Sequence, residues 1–194
     1  MKKVLILGAG LVVRPMVKHL LNKGIRVTVA TRTKSKAEEM IAGHHNGTAI
    51  AWTVDDEETL SHMVSDHDLV VSLLPYLHHL LVAKYCLHHK KNMVTTSYVK
   101  PEMQALDAEA KAAGIIILNE LGLDPGIDHM SAMRIIDHVH HRGGKIEEFY
   151  SICGALPAPE AASNPFKYKF SWSPKGVVMA GNNDGKYLKD GAGV

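Results

Sequence analysis

A chain of 194 residues, 46% of them apolar and with a formal net charge of +2, has material for one large domain or one domain and part of another. Its charges are mixed along the chain, which excludes a basic stripe for nucleic acid and a polybasic membrane patch, and no apolar run approaches membrane-spanning length. The apolar start is too short for a signal peptide and runs into Arg14-Pro15, and the two cysteines, Cys86 and Cys153, form no motif, so a reducing cytoplasm is the expected location.

Residues 3–7 read as a short buried strand, and Gly8-Ala9-Gly10 follows at once. Val12, Met16, Val17, Leu20 and Leu21 then recur at helical spacing. Strand, glycine turn and helix begin a dinucleotide-binding βαβ unit. Gly8 allows the tight turn, and Gly10 lets backbone approach a pyrophosphate at the helix N-terminus. Val13 stands where G-x-G-x-x-G has its third glycine, which is expected to widen the turn without removing the phosphate site.

Strand two is predicted over 26–31. Ser35-Lys36-Ala37-Glu38 reads as a capping box opening a helix to about residue 42. Strand three is expected at 48–52 and a polar helix at 56–65. Residues 69–74 form a continuous apolar strand of the kind buried on both faces of a parallel sheet. Pro75-Tyr76 leads into a helix to about residue 89, and 92–96 is strand five. Pro101 starts a helix that runs to Ala113-Gly114. Residues 115–118 are strand six. Alternation of this kind predicts an α/β fold with a doubly wound parallel Rossmann sheet.

The pattern changes at Asn119-Glu120-Leu121-Gly122-Leu123-Asp124-Pro125-Gly126, a glycine- and proline-rich loop. A helix is predicted over 128–141, and 145–152 alternates like a strand. Beyond it come Pro157, Pro159 and Pro165 and the aromatics Phe166, Tyr168, Phe170 and Trp172. The expected division is a dinucleotide-binding domain over 1–123 and, over 124–194, the beginning of an incomplete α+β substrate or dimerisation domain.

An acidic residue at the end of strand two would hold the ribose 2′-hydroxyl of NAD. Here Thr31-Arg32-Thr33-Lys34-Ser35 has no carboxylate, and an arginine beside hydroxyls pairs with the 2′-phosphate of NADP. NADP is therefore the expected cofactor. The plain alternative is a solvated basic loop beside a helix cap.

Ser72-Leu73-Leu74-Pro75-Tyr76, Val94-Thr95-Thr96-Ser97-Tyr98 and the 119–129 segment, with Cys153-Gly154-Ala155-Leu156-Pro157-Ala158-Pro159-Glu160 and Tyr168-Lys169-Phe170-Ser171-Trp172-Ser173, resemble the saccharopine reductase family over essentially the whole chain. That family is also called the NADP-dependent, glutamate-forming saccharopine dehydrogenase. The resemblance implies reversible reduction, by NADPH, of the imine of 2-aminoadipate 6-semialdehyde and glutamate to saccharopine, in lysine metabolism. It implies cofactor contacts at Ala9, Gly10, Leu11, Val12, Thr31, Arg32, Thr33, Ser72, Leu73, Thr96 and Leu123. It implies substrate contacts at Ser97, Tyr98 and Asp124, with Trp172 lining the site. Family members continue well beyond this length, and the arginine with which they grip substrate carboxylates lies in that further part.

Asp124 is the candidate catalytic residue, stabilising an iminium or holding the substrate ammonium, though aspartate before proline is also an ordinary turn residue. Ser97 and Tyr98 have the plain alternative of ending strand five. Cys153 and His129 read more readily as a small core residue and a cap than as proton shuttles. The histidine pairs at 44–45, 78–79, 88–89 and 140–141 complete no recognisable ligand set with Cys or Glu, so they read as solvated faces and no metal is expected. Rival readings are a non-catalytic nucleotide-binding or dimerising Rossmann module and a carboxyspermidine-type imine reductase. A homodimer through the second domain is expected, because its apolar faces near Ile135 and Phe149 have nothing evident to cover them.

Overall fold

A computed structural model describes residues 1–154, 156–170, 174–180, 185 and 187–193. Two compact units divide the chain, Met1–Cys153 and Gly154–Val194. Trp172 lies outside the described residues.

In the first unit the apolar runs become six parallel strands: β1 (Lys3–Leu7), β2 (Arg26–Thr31), β3 (Gly47–Ala51), β4 (Leu69–Ser72), β5 (Asn92–Thr95) and β6 (Ile117–Leu118). Their order across the sheet is β3-β2-β1-β4-β5-β6, that of a doubly wound dinucleotide-binding fold. Between them run α1 (Arg14–Asn22), α2 (Lys34–Ile41), α3 (Glu57–Asp66), α4 (His79–His88), α5 (Pro101–Gln104) and α6 (Asp107–Ala113), and α7 (Ile127–His141) follows the sheet.

Alternation along β1 divides the core into two layers. Val4 and Ile6 face Val17 and Leu21 of α1 and Ala37 and Ile41 of α2. Leu5 and Leu7 face Leu60 and Val64 of α3, Val82 and Ala83 of α4, and Met103 and Leu106. Leu5, Ile6 and Leu7 are wholly buried, and burying each side chain contributes roughly 1.5–3 kcal/mol. The third-glycine position is filled by Val13, buried against the α1 layer, and the helix starts just after it.

Several local expectations are corrected. The first helix begins at Arg14, because Pro15 takes the first turn, where its missing N–H costs nothing, and Val12 is left 63% exposed in the preceding turn. The capping box at 35–38 does not form. Thr33 is the cap residue without a side-chain bond, Ser35 and Glu38 fall inside α2, and Glu38 pairs instead with Lys34 at 3.3 Å. The helix expected from Pro101 to Ala113 is broken into α5 and α6 as Met103 and Leu106 both turn into the core. Strand six loses its first two residues. Gly114 ends α6 in the left-handed region and the Ile115 amide closes on Ala110 at 3.0 Å, while the Ile116 amide donates to the Asn92 side chain at 2.9 Å.

Residues 145–152 form no strand. Phe149, Tyr150 and Ile152 are all exposed, and among the described residues no neighbouring strand pairs with this segment. In the second unit, α8 (Pro174–Ala180) and the antiparallel pair β7 (Leu188–Lys189) and β8 (Ala192–Gly193) are short. There Asn164 ties both the amide and the carbonyl of Tyr168, whose ring meets Phe170 edge-on at 5.7 Å.

Candidate functional site

Strand register lines up the residues that the sequence singles out. Ala30, Leu7, Ser72 and Thr95 stand side by side across β2, β1, β4 and β5. Their successors, Thr31, Gly8, Leu73 and Thr96, all belong to the expected cofactor set. The strand order reverses between β1 and β4, so the ligand crevice of this fold opens at Gly8 and Leu73.

Gly8 has φ +110°, and a Cβ there would stand 2.8 Å from the Leu73 carbonyl oxygen. Glycine is therefore required for conformation and for space. The turn is pinned by the Gly8 amide donating to Ala30 at 2.9 Å and the Leu73 amide donating to Leu7 at 2.8 Å. A Cβ on Gly10, by contrast, would meet nothing within 4 Å. Among the described residues the amides of Ala9, Gly10, Leu11 and Val12 have no protein acceptor, and they precede the N-terminus of α1. Such amides suit an anion, and a pyrophosphate fits them.

On the far side of Gly8, Thr31 ends β2, and Arg32 and Thr33 are exposed beyond it. Lys34 is engaged with Glu38, whereas among the described residues the Arg32 guanidinium has no carboxylate partner. A 2′-phosphate fits that group.

On the near side, hydroxyls gather around one imidazole. His79, the first residue of α4, is 4% exposed. Its Nδ1 lies 2.8 Å from Ser72 Oγ, and its Nε2 lies 2.8 Å from Ser97 Oγ and 3.1 Å from Thr95 Oγ1. Burial, and then the neighbouring His78, push its pKa down to about 4, so the ring is neutral at pH 7.

The 119–126 loop is fastened over the end of β5. The Glu120 amide donates to Ser97, the Leu121 amide to Thr95, and the Val99 amide to the Glu120 carboxylate at 3.0 Å. Gly126 has φ +147°, and a Cβ there would collide with the Gly122 carbonyl, so the loop closes tightly. Gly122 in turn lies against Thr96. The Asp124–Pro125 bond is cis.

This closure brings Asp124 to Tyr98, whose hydroxyl donates to the carboxylate at 3.2 Å. Burial, followed by the Asp124 charge, raises the Tyr98 pKa, so the phenol keeps its proton at neutral pH. Hydrogen bonding to Asp124 likewise raises the Cys153 thiol. Beside Tyr98 is a cavity of about 370 Å³, lined also by Tyr76, His79, Lys100, Glu102 and Asn119. Lys100 Nζ lies 5.6 Å from the Tyr76 ring centre.

Residues 4–118 match the family model described as the saccharopine dehydrogenase NADP binding domain, and residues 122–194 match the saccharopine dehydrogenase C-terminal domain. The chain belongs to the saccharopine dehydrogenase family. It is 51% identical, over 98% of its length, to a saccharopine dehydrogenase [NADP(+), L-glutamate-forming] of Pyricularia oryzae and 49% identical to that of Schizosaccharomyces pombe. It is 45% identical to the mitochondrial alpha-aminoadipic semialdehyde synthase of Bos taurus, of which it covers 21%. The solved apo saccharopine dehydrogenase (L-Glu forming) of Saccharomyces cerevisiae superposes with a TM-score of 0.88 at 45% identity, over all of this chain and 44% of that one. The chain spans 42% and 43% of the two fungal relatives.

Within this saccharopine dehydrogenase frame the structure gathers the expected residues into adjoining groups. Gly8 to Val12 with Leu73 form one, Thr31 to Thr33 another, and Ser72, Thr96, Ser97, Tyr98 and Asp124 a third. Leu123 is 64% exposed on the loop beside Asp124. The pair at 78–79, expected as a solvated face, is buried at His79. Its signal was helical spacing, since His79, Val82, Ala83 and Cys86 make the buried stripe of α4. Lys100 and Glu120 were not singled out, and only the folded loop shows what they approach.

Proposed function

We propose that this chain forms the NADP(H)-binding core and one wall of the substrate site of a glutamate-forming saccharopine dehydrogenase, serving the reversible reduction of the imine of 2-aminoadipate 6-semialdehyde and glutamate. The observation that carries this reading is the Tyr98–Asp124 pair, held at 3.2 Å just past the end of β5, the neighbour in the sheet of β4, which Leu73 follows. The amides of the Gly8–Val12 turn take the pyrophosphate, Arg32 with Thr31 and Thr33 takes the 2′-phosphate, and Ser72, Leu73, Thr96 and Leu123 line the rest of the cofactor's path. The cofactor supplies or accepts the hydride.

What remains for the protein is positioning and charge. Asp124 faces the substrate nitrogen and offsets the positive charge that makes the adjacent carbon electrophilic. Tyr98, protonated at neutral pH, donates to that carboxylate and fixes its direction. Ser97 offers its hydroxyl from the strand end. Titration of NADPH by fluorescence, followed by absorbance with saccharopine and NADP, tests both halves of the reading. No binding of NADPH would overturn it.

Cofactor choice has its own test. NADPH should bind at least about tenfold more tightly than NADH, which is about 1.4 kcal/mol, and Arg32→Asp should narrow or invert the ratio. Equal affinities in the unmutated chain would remove Arg32 from its role.

We take residues 1–123 as the cofactor domain and 124–194 as the start of a substrate-binding and dimerising domain, a division that the family-model bounds at 118 and 122 support. Met130, Met133 and Ile135 are each more than half exposed on α7, and Phe149 is nearly so. Apolar faces of this kind favour a homodimer formed after about residue 126. Light scattering at micromolar concentration should give the dimer mass, and a monodisperse monomer would count against it. The two cysteines are free, which suits a reducing cytoplasm, and no helix among the described residues is long and apolar enough to cross a membrane.

A further inference from the structure

The cavity beside Tyr98 carries both signs of charge. Its walls are apolar where Tyr76, Leu80 and Tyr98 stand, and Lys100, Glu102 and Asn119 bring polar groups to it. We propose that this cavity takes the amino-acid head of the substrate's aminoadipate arm, with Lys100 on the α-carboxylate and Glu102 on the α-ammonium. This rests on the functional reading above, and it names the residues that decide which arm of saccharopine lies there.

Local sequence fixes where the two charges stand. Pro101 keeps Lys100 extended, at φ −95° and ψ 155°, and begins α5. Met103, buried in the core, ties down the same turn. Lys100 and Glu102 therefore flank an anchored Pro101, and both line the cavity. Lys100 Nζ is seated over the Tyr76 ring by a cation–π contact. Among the described residues neither charge has an oppositely charged partner, and the Asn119 side chain has no hydrogen bond. Unpaired polar groups on an apolar cavity are what a small polar ligand completes.

Charge then selects the ligand. Saccharopine has two unlike arms on one nitrogen. The glutamate arm carries carboxylates and no free ammonium, so Glu102 repels it. The other arm is a methylene chain ending in an α-ammonium and an α-carboxylate. Its chain suits the apolar walls, and its head is the complement of Glu102 and Lys100. Tyr98 joins this cavity to the proposed reaction centre, because its hydroxyl is on Asp124 and its side chain lines the cavity. The volume, about 370 Å³, is near the lower end of the ~300–1,000 Å³ of small-molecule sites, with room for one arm and not for a dinucleotide.

Lysine is this arm with its nitrogen, so L-lysine is the probe. ε-Aminocaproate lacks only its α-ammonium, and cadaverine lacks only its α-carboxylate. The test follows backbone amide shifts of the ¹⁵N-labelled 194-residue chain, loaded with NADPH, as each probe is added. L-lysine should move the amides around Tyr76, Lys100 and Asn119 and bind at least about threefold more tightly than either truncated probe, a factor suited to charges partly in water. Glu102→Gln should weaken L-lysine and cadaverine by about that factor and leave ε-aminocaproate unchanged. Lys100→Gln should weaken L-lysine and ε-aminocaproate and leave cadaverine unchanged. Each charge then answers only to the probes that carry its partner.

No binding of L-lysine by the loaded parent, shifts confined to other parts of the chain, or equal affinities for the three probes would overturn the inference and leave the functional reading intact. So would losses that do not follow the partner, such as Glu102→Gln weakening ε-aminocaproate as much as L-lysine. A parent that binds no NADPH would overturn both. Far-ultraviolet circular dichroism reports the fold of each variant, and if one does not fold, the three probes on the parent decide.

Discussion

Lowering the pH from about 6.5 to 4 should cost the fold about 3 kcal/mol through His79 alone. In the unfolded chain this imidazole takes a proton near its ordinary value of 6.5, while in the fold burial and His78 hold it to about 4. The unfolded state therefore binds more protons throughout that window, and stability falls as pH falls. The contribution is fully present above 6.5, declines by about 1.4 kcal/mol per unit, and is gone below the folded pKa. His89 is lowered in the same sense by burial and then by His88, Lys91 and His62. Asp56, Asp66 and Asp68, lowered mainly by their hydrogen bonds, add acid lability only once carboxylates begin to protonate. Urea midpoints across the window, for the parent and for His79→Gln, check the assignment. The variant should be less stable at pH 7.5 but its curve markedly flatter, and parallel curves would show that His79 does not carry the slope.

The sheet was legible because each buried run had one partner geometry available. In β1 and β4 an apolar run followed by Gly8, or by Pro75, ends as a strand whatever surrounds it. Of the proposed site, the Gly8 turn and Arg32 could be read from the residues themselves and the other positions only from the resemblance; register stands the residues just before four of them, Ala30, Leu7, Ser72 and Thr95, side by side. Misreadings came where a local pattern competed with something distant or with a different local closure. Ser35 and Glu38 have capping-box spacing, but the chain is already helical at Lys34. Ile115 and Ile116 have strand propensity, but their amides are spent on Ala110 and on the Asn92 side chain. Residues 145–152 carry a partly alternating pattern, but among the described residues they find no strand to bond. His79 was missed because a histidine pair looks hydrophilic, and the helical stripe that buries one of the two appears only when the whole of α4 is read.

On the reading proposed above, a polypeptide of these 194 residues should bind NADPH but oxidise saccharopine at least about a hundredfold more slowly than one extended to carry the arginine that the family resemblance places further on. Saccharopine presents three carboxylates, and each wants a charged, preferably bidentate partner. Of the arginines here, Arg14 and Arg32 stand at the cofactor turn and the β2 end, Arg26 opens β2 at its amino end, and Arg134 and Arg142 are exposed on and just after α7. Lys100 is the cation at the cavity beside Tyr98, and an ammonium is a point charge without the planar fork. Each charge-assisted hydrogen bond forgone costs about 1.5–3 kcal/mol, so two of them account for roughly a hundredfold to ten-thousandfold in kcat/KM. The proposed cofactor contacts do not share this deficit, because the amides of the Gly8 turn and the Arg32 guanidinium, which would take the phosphates, are all present in the chain. Steady-state absorbance with saccharopine and NADP, compared with NADPH affinity on the same preparation, separates the two. Tight NADPH with no measurable turnover would favour a nucleotide-binding module, and slow turnover would favour an enzyme lacking its carboxylate clamp. Turnover of several per second would mean that these residues, Lys100 foremost or a dimer mate, already supply the clamp.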